Sequence, residues 1–150
     1  MSLYKMASSK EFNKIILAVD GSDASKKAAQ KAFSIAKKTG IDVEAIYVTY
    51  FPIATVPTLE SSDMSYINDV MKKQGQAILD EIEKMASEHN VKIKKVLVEG
   101  IPDDEIIKLT HKDDLIIMGS KGHSTLDRIL VGSVSENVLH HSKATVMIVR

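Results

Sequence analysis

The sequence contains no cysteine and no tryptophan, and it has only three prolines and seven glycines among its 150 residues. Without cysteine the chain has no disulfide framework and no thiol chemistry, which fits the reducing cytoplasm that we expect as its location. No apolar run approaches the roughly 20 residues that a membrane-spanning helix needs. Basic and acidic residues balance at 20 each, so no global field favours nucleic acid or an anionic membrane as a partner.

The remaining composition is typical of a globular protein, with 44% hydrophobic and 27% charged residues. A chain of this length can bury about 70% of the surface that it exposes when unfolded. No repeat, low-complexity tract or linker divides it, so we expect one domain over residues 1–150. Residues 1–10 are polar and are expected to lie outside the fold, as disordered or expression-derived chain.

Short apolar runs alternate with amphipathic stretches along the chain. The apolar runs predict strands at residues 14–20, 43–50, 92–98, 115–118 and 145–149. The amphipathic stretches predict helices at residues 24–39, 66–89, from 102 onwards and at 134–142, and residues 51–63 are predicted to form a long loop. The pattern predicts an α/β protein with an open five-stranded parallel sheet in the order 3-2-1-4-5 and helices on both faces.

In this strand order the chain reverses direction between strands 1 and 4, which lie side by side. Ligands of open α/β sheets bind at such a switch point, beyond the carboxyl ends of the strands. Asp20 ends strand 1, and a glycine-rich loop from Gly119 to Ser133 follows strand 4. Asp20 could instead cap the next helix, but Ser22 and Asp23 are better placed for capping. We therefore expect Asp20 and the glycine loop to meet at one crevice.

The glycine loop has the features of a phosphate site. Its glycines let the backbone approach an anion closely, and the helix that follows turns its first free amides towards it. Cationic and hydroxyl side chains that could assist are Lys121, His123, Arg128, Ser133 and Ser135.

The same residues also allow a purely structural loop. Ser133 and Glu136 have the spacing of a capping box, and Gly119 could be a simple turn at the end of the strand. Glycine spacing alone does not separate the two interpretations. Two comparisons favour phosphate: the other candidate helix start, at Pro102, is followed by three acids, and the glycine loop is basic and longer than most strand-to-helix connections.

Other common nucleotide and hydrolase signatures are missing. The chain has no G-x-x-x-x-G-K-[ST] loop, no G-x-G-x-x-G after strand 1 and no G-x-S-x-G elbow.

The motif Gly119-x2-Gly122-x9-Gly132-Ser133 matches the G-2x-G-9x-G-[ST] signature of the universal stress protein family, in its ATP-binding branch. The chain resembles this family over residues 14–150, with further matches at residues 15–22, 100–102, 116–120 and 132–138. The resemblance implies a Rossmann-like fold of the adenine nucleotide alpha hydrolase type. It also implies that the protein binds ATP, with Mg²⁺ or Mn²⁺ on the phosphate oxygens.

By this resemblance the adenine and ribose border the ends of strands 1 and 2, and the phosphates lie at the start of the helix after the loop. The residues expected to bind the nucleotide are Ala18, Val19, Asp20, Val48, Met118, Gly119, Gly122, His123, Gly132, Ser133, Val134 and Ser135. His123 is expected to contact the ribose or a phosphate. The five histidines of the chain form no metal-binding motif, so no side chain is expected to bind the metal.

Strand 5 is apolar and lies at an edge of the predicted sheet, where an unpaired strand promotes aggregation. A homodimer through this strand would pair the edge, and the family resemblance implies one; loops covering the edge are the alternative.

The family resemblance implies an ATP-binding regulatory or stress-response switch, with an unidentified protein as a candidate partner. No positioned general base or nucleophile is evident, so hydrolysis is expected to be slow or absent. The alternative is a nucleotide-hydrolysing or adenylyl-transferring enzyme that uses the same crevice, but its S-G-G-x-D-S and HxGH motifs are missing. An FMN-binding module is a third class, and the absence of tryptophan leaves little to stack on a flavin.

Overall fold

The computed structural model describes residues 11–52, 60–120 and 132–150. Predictions that concern residues 1–10, 53–59 and 121–131, including those for Gly122, His123, Lys121 and Arg128, lie outside the described residues.

The described strands form one parallel sheet in the order β3-β2-β1-β4-β5, as predicted. The strands are β1 (Lys14–Ala18), β2 (Asp42–Thr49), β3 (Ile93–Glu99), β4 (Leu115–Gly119) and β5 (Thr145–Val149). Because β1 pairs with both β2 and β4, the reversal of direction lies between β1 and β4, where ligands of open sheets bind.

Four helices in the described parts of the chain cover the two faces of the sheet. They are α1 (Asp23–Thr39), α2 (Ser61–Glu88), α3 (Pro102–Leu109) and α4 (Ser133–His141). Helices α1 and α2 pack on one face, around buried residues such as Leu17, Phe33 and Leu79. The other face carries a second core in which Ile116 packs with Ile106 of α3 and Val138 of α4. None of the helices in the described ranges is long and apolar enough to cross a membrane.

Helix α1 begins and ends where the sequence predicts. The Ser22 hydroxyl accepts a hydrogen bond from the Ser25 amide at 3.2 Å, which caps the first turn. Gly40 adopts a left-handed conformation with φ of 71°, and its amide donates to the Ala36 carbonyl at 2.8 Å.

The predicted start of α2 is wrong. The helix begins at Ser61 rather than at residue 66, so the end of the predicted loop belongs to the helix. Serine and aspartate favour turns but also suit the first helical turn, where the Asp63 charge interacts favourably with the helix dipole. Their presence was therefore not evidence for a loop.

Gly75 allows α2 to lie directly on the sheet. A Cβ atom at this position would lie 2.6 Å from Cδ1 of Tyr47 and 2.8 Å from Cδ1 of Leu97. These two side chains occupy paired positions on β2 and β3. The missing side chain thus forms a notch that receives both of them.

We predict that Gly75→Ala destabilises the protein by roughly 1–3 kcal/mol, the usual cost of overpacking a core. Alanine has a helix propensity about 1 kcal/mol better than glycine, but the contacts at 2.6–2.8 Å outweigh it. Urea denaturation measures the change in the free energy of unfolding. Gln76→Ala, at an exposed position of the same helix, is the control and should have an effect within about 0.5 kcal/mol. A Gly75→Ala protein at least as stable as the wild type would contradict this packing.

Candidate functional site

A crevice of about 470 Å³ lies at the carboxyl ends of β1, β2 and β4. Its volume is within the range of roughly 300–1,000 Å³ that is typical of small-molecule sites. The residues that line it are Ala18, Val19, Asp20, Ser22, Ser25, Ile46, Tyr47, Val48, Gln74, Pro102, Ile106, Met118, Gly119, Gly132, Ser133, Val134 and Ser135.

This lining includes all of the predicted nucleotide-binding residues that the structure describes. The end of β1 contributes Ala18, the residues directly after it contribute Val19 and Asp20, and β2 contributes Val48. The end of β4 and the start of α4 supply the others. The remaining two, Gly122 and His123, lie outside the described residues. Two stretches that are remote in sequence are therefore brought together at the switch point of the sheet.

Gly119 is the last residue of β4, and close packing requires a glycine there. A Cβ atom at this position would lie 2.7 Å from the carbonyl carbon of Ala24 and 2.8 Å from its Cβ atom. Because the carbonyl belongs to the backbone of α1, no rotation of a side chain could relieve this contact. Gly119 therefore allows the first turn of α1 to lie against the strand, rather than forming a simple turn.

Two hydrogen bonds attach α4 to the end of β4. The Ser135 hydroxyl donates to the Gly119 carbonyl at 2.8 Å, and the Gly132 amide donates to the Ser120 carbonyl at 2.6 Å. The Ser120 amide in turn donates to the Val149 carbonyl of β5 at 2.9 Å. The first turn of α4 is thus held at the wall of the crevice.

The predicted capping box at the start of α4 is wrong. Gly132 is the N-cap residue, with φ of −74° and ψ of 165°, and Ser133 is already the first helical residue. Glycine has no side chain to cap the helix. The first intrahelical hydrogen bond runs from the Glu136 amide to the Gly132 carbonyl at 2.9 Å, so the amides of residues 133–135 come before it.

These amides give the start of α4 the character of an anion site, because they carry the positive end of the helix dipole and lie in the lining of the crevice. The hydroxyls of the two serines differ. The Ser133 side chain is exposed, whereas the Ser135 hydroxyl already donates its hydrogen to Gly119. The Ser135 hydroxyl as a donor to phosphate stays a prediction, and the Ser135 amide precedes the first intrahelical hydrogen bond of α4.

Asp20 lies in the turn that follows β1 and belongs to the lining of the crevice. Its Oδ1 atom accepts a hydrogen bond from the Ser22 amide at 2.9 Å. Gly21, between the two, has φ of 82°, which glycine adopts without strain. Ser22 caps α1, as the sequence suggested. The Asp20 carboxylate instead orders the turn and lines the crevice.

Sequence reasoning missed several residues of the crevice, above all Tyr47 of β2 and Gln74 of α2. Burial is the main cause that raises the pKa of the Tyr47 phenol above 10.0, and the nearby negative charge of Asp20 raises it further. The phenol therefore stays protonated at neutral pH and can donate a hydrogen bond. Gly75 is the sequence feature that could have revealed these two residues. A single glycine inside a long amphipathic helix often has a packing reason, such as the close approach of another element.

A side-chain metal site is absent from the part of the chain that the structure describes, where no three histidine, aspartate or glutamate side chains cluster suitably.

A family model described as the universal stress protein family matches residues 11–150. The chain is 39% identical over 142 residues to universal stress protein MJ0531 of Methanocaldococcus jannaschii, an alignment that covers 93% of this chain and 82% of that protein.

Solved structures agree with the sequence match. Protein MJ0577 of Methanocaldococcus jannaschii superposes with a TM-score of 0.78 at 28% identity, covering 93% of this chain and 96% of that one. A universal stress protein in complex with cAMP superposes with a TM-score of 0.71 at 28% identity, covering 93% and 98%. Since the family model spans nearly the whole domain and the strand order agrees with these folds, the chain belongs to the universal stress protein family.

Proposed function

We propose that the protein binds ATP in the crevice and acts as a nucleotide-dependent regulatory or stress-response switch, with little or no hydrolysis of its own. The observation that carries this proposal is the start of α4, a helix without a side-chain cap whose first amides line the crevice. A relative at 28% identity was solved in complex with cAMP, which supports an adenine nucleotide as the ligand.

In the proposed complex the phosphates lie at residues 132–135, where backbone amides and the helix dipole stabilise negative charge. The nucleoside extends past Met118 and Gly119 towards Ala18, Val19, Asp20 and Val48, which form the wall at β1 and β2. Asp20 accepts a hydrogen bond from a ribose hydroxyl or from the adenine amine. The contributions of Gly122 and His123 remain predictions.

Mg²⁺ or Mn²⁺ fits this arrangement as a companion of the phosphates. A bound cation would neutralise part of the phosphate charge without requiring a protein ligand. The described residues that line the crevice offer amides, hydroxyls and a single carboxylate, that of Asp20, which is compatible with a metal bound to phosphate oxygens.

We infer slow hydrolysis because the described residues at the start of α4 that line the crevice include no general base. Asp20 is the only carboxylate among the described residues of the lining, and its Oδ1 atom accepts a hydrogen bond from the Ser22 amide. Without a base to take its proton, an attacking water molecule gains little from the site.

The proposal includes a homodimer through β5 and a location in the cytoplasm. Strand β5 is an edge of the described sheet, and its four residues after Thr145 are half-buried and apolar. Pairing with a second copy would cover this edge.

The first prediction concerns the ligand and its fate. Protein purified without added nucleotide and then denatured should release an adenine nucleotide. A separate folded sample from which the nucleotide has been removed should bind Mg-ATP with negligible turnover. Calorimetry measures binding and phosphate release measures turnover. Rapid turnover would favour the enzymatic alternative, and absence of ATP binding would refute the proposal.

The second prediction tests the amides of α4. Ser133→Pro removes one amide hydrogen, and proline suits the first helical position after the extended Gly132, whose ψ is 165°. The matched control, Ser133→Ala, removes the same hydroxyl but keeps the amide. Because a hydrogen bond to a charged group is worth about 1.5–3 kcal/mol, we expect the proline variant to bind ATP at least roughly tenfold more weakly than the alanine variant. Equal affinities would exclude the Ser133 amide from phosphate binding.

The third prediction concerns assembly. Light scattering at micromolar concentration should give twice the mass of the chain, since the edge of β5 is apolar and half-buried. A monomer under these conditions would contradict the dimer but not the nucleotide site.

A further inference from the structure

Tyr47 is fixed in position by the helix behind it. Its ring fills the notch at Gly75, where an added Cβ atom would lie 2.6 Å from Cδ1 and 2.8 Å from Cε1. The half-buried side chain also lines the crevice. Besides burial, the negative charge of Asp20 raises the pKa of the Tyr47 hydroxyl and helps to keep the phenol protonated. The phenol is therefore a preoriented hydrogen-bond donor.

Gln74 precedes this notch and is the residue of α2 that lines the crevice. Gly75 packs on Tyr47 and Gln74 is its chain neighbour, so both polar residues belong to the part of the lining that β2 and α2 contribute. Within the described part of the chain, neither the Tyr47 hydroxyl nor the Gln74 amide takes part in a hydrogen bond. Both groups are thus available to a ligand in a crevice whose lining is otherwise rich in apolar side chains.

We propose that Tyr47 and Gln74 form a subsite for the nucleoside part of the nucleotide, in which the Gln74 carboxamide pairs with the edge of an adenine base. This inference rests on the proposed function, and it adds a source of base selectivity on α2. The subsite belongs to the nucleoside because it lies beside Asp20 and Val48, on β2 and α2, whereas the phosphate-binding amides belong to α4.

The chemistry of the carboxamide decides which base fits. A glutamine side chain offers one acceptor and one donor side by side. These match the amino group N6 and the ring nitrogen N7 of adenine. Guanine presents two acceptors, O6 and N7, on the corresponding edge, so one of the two hydrogen bonds is lost. Tyr47 donates to the nucleoside from the fixed position of its ring.

Binding of Mg-ATP, Mg-GTP and tripolyphosphate to three variants tests this subsite. Tyr47→Phe keeps the ring on Gly75 and removes only the hydroxyl. Gln74→Leu removes the carboxamide at similar size. The matched control is Gln76→Leu, on the same helix, where the carboxamide donates to Asp80 at 2.9 Å and is not part of the crevice lining. Thermal unfolding verifies that each variant is folded.

We expect Tyr47→Phe and Gln74→Leu each to weaken ATP binding about three- to tenfold, as for the loss of a neutral hydrogen bond. Gln74→Leu should also reduce the preference for ATP over GTP by a similar factor. Affinity for tripolyphosphate should not change in either variant, and Gln76→Leu should behave as the wild type.

Two kinds of failure are distinguishable. This inference is overturned, while the proposed function stands, if both variants bind ATP as tightly as the wild type does. The same holds if the variants lose as much affinity for tripolyphosphate as they lose for ATP. If the wild type binds neither ATP nor tripolyphosphate, the proposed function fails and the subsite fails with it.

Discussion

The crevice depends on the absence of a side chain at Gly119. Helix α1 approaches the end of β4 so closely that any Cβ atom there would lie 2.7 Å from the backbone of Ala24. The carbonyl of the same residue accepts the hydrogen bond from Ser135 that holds α4. One position thus sets how two helices, from opposite faces of the sheet, meet at the carboxyl ends of the strands. The glycine of the family signature therefore has a packing role besides any contact with a ligand.

The start of α4 is suited to an anion because the protein leaves it incompletely satisfied. A serine at the N-cap would have occupied one of the first amides, whereas Gly132 occupies none. The cost to the isolated helix is offset by the hydrogen bonds of Gly132 and Ser135 to the end of β4. These bonds hold the amides in place before a ligand arrives, which lowers the entropy lost on binding.

The sequence predicted the sheet well because β1 and β4, at its centre, are almost fully buried and stand out as apolar runs. Asp20 and Gly119 could then be placed together from topology alone. The predictions that failed depended on finer detail. The capping box at Ser133 was wrong by a single residue, since Gly132 takes the N-cap position. The start of α2 was misplaced because serine and aspartate suit both turns and first helical turns.

Tyr47 and Gln74 could not be found from periodicity, which counts apolar residues and treats glycine as neutral. Their proximity follows from the notch at Gly75, a contact between elements that are remote in the sequence.

The same notch divides α2 into two parts. The buried residues of the helix, from Gly75 to Ala86, all lie in the part that packs on the sheet, whereas none of residues 61–74 is buried. The first part is therefore the less stabilised one, because few tertiary contacts support it. A nucleotide bound to Gln74, as we propose, would add a contact at this boundary and so stabilise the end of α2 that the sheet leaves unsupported.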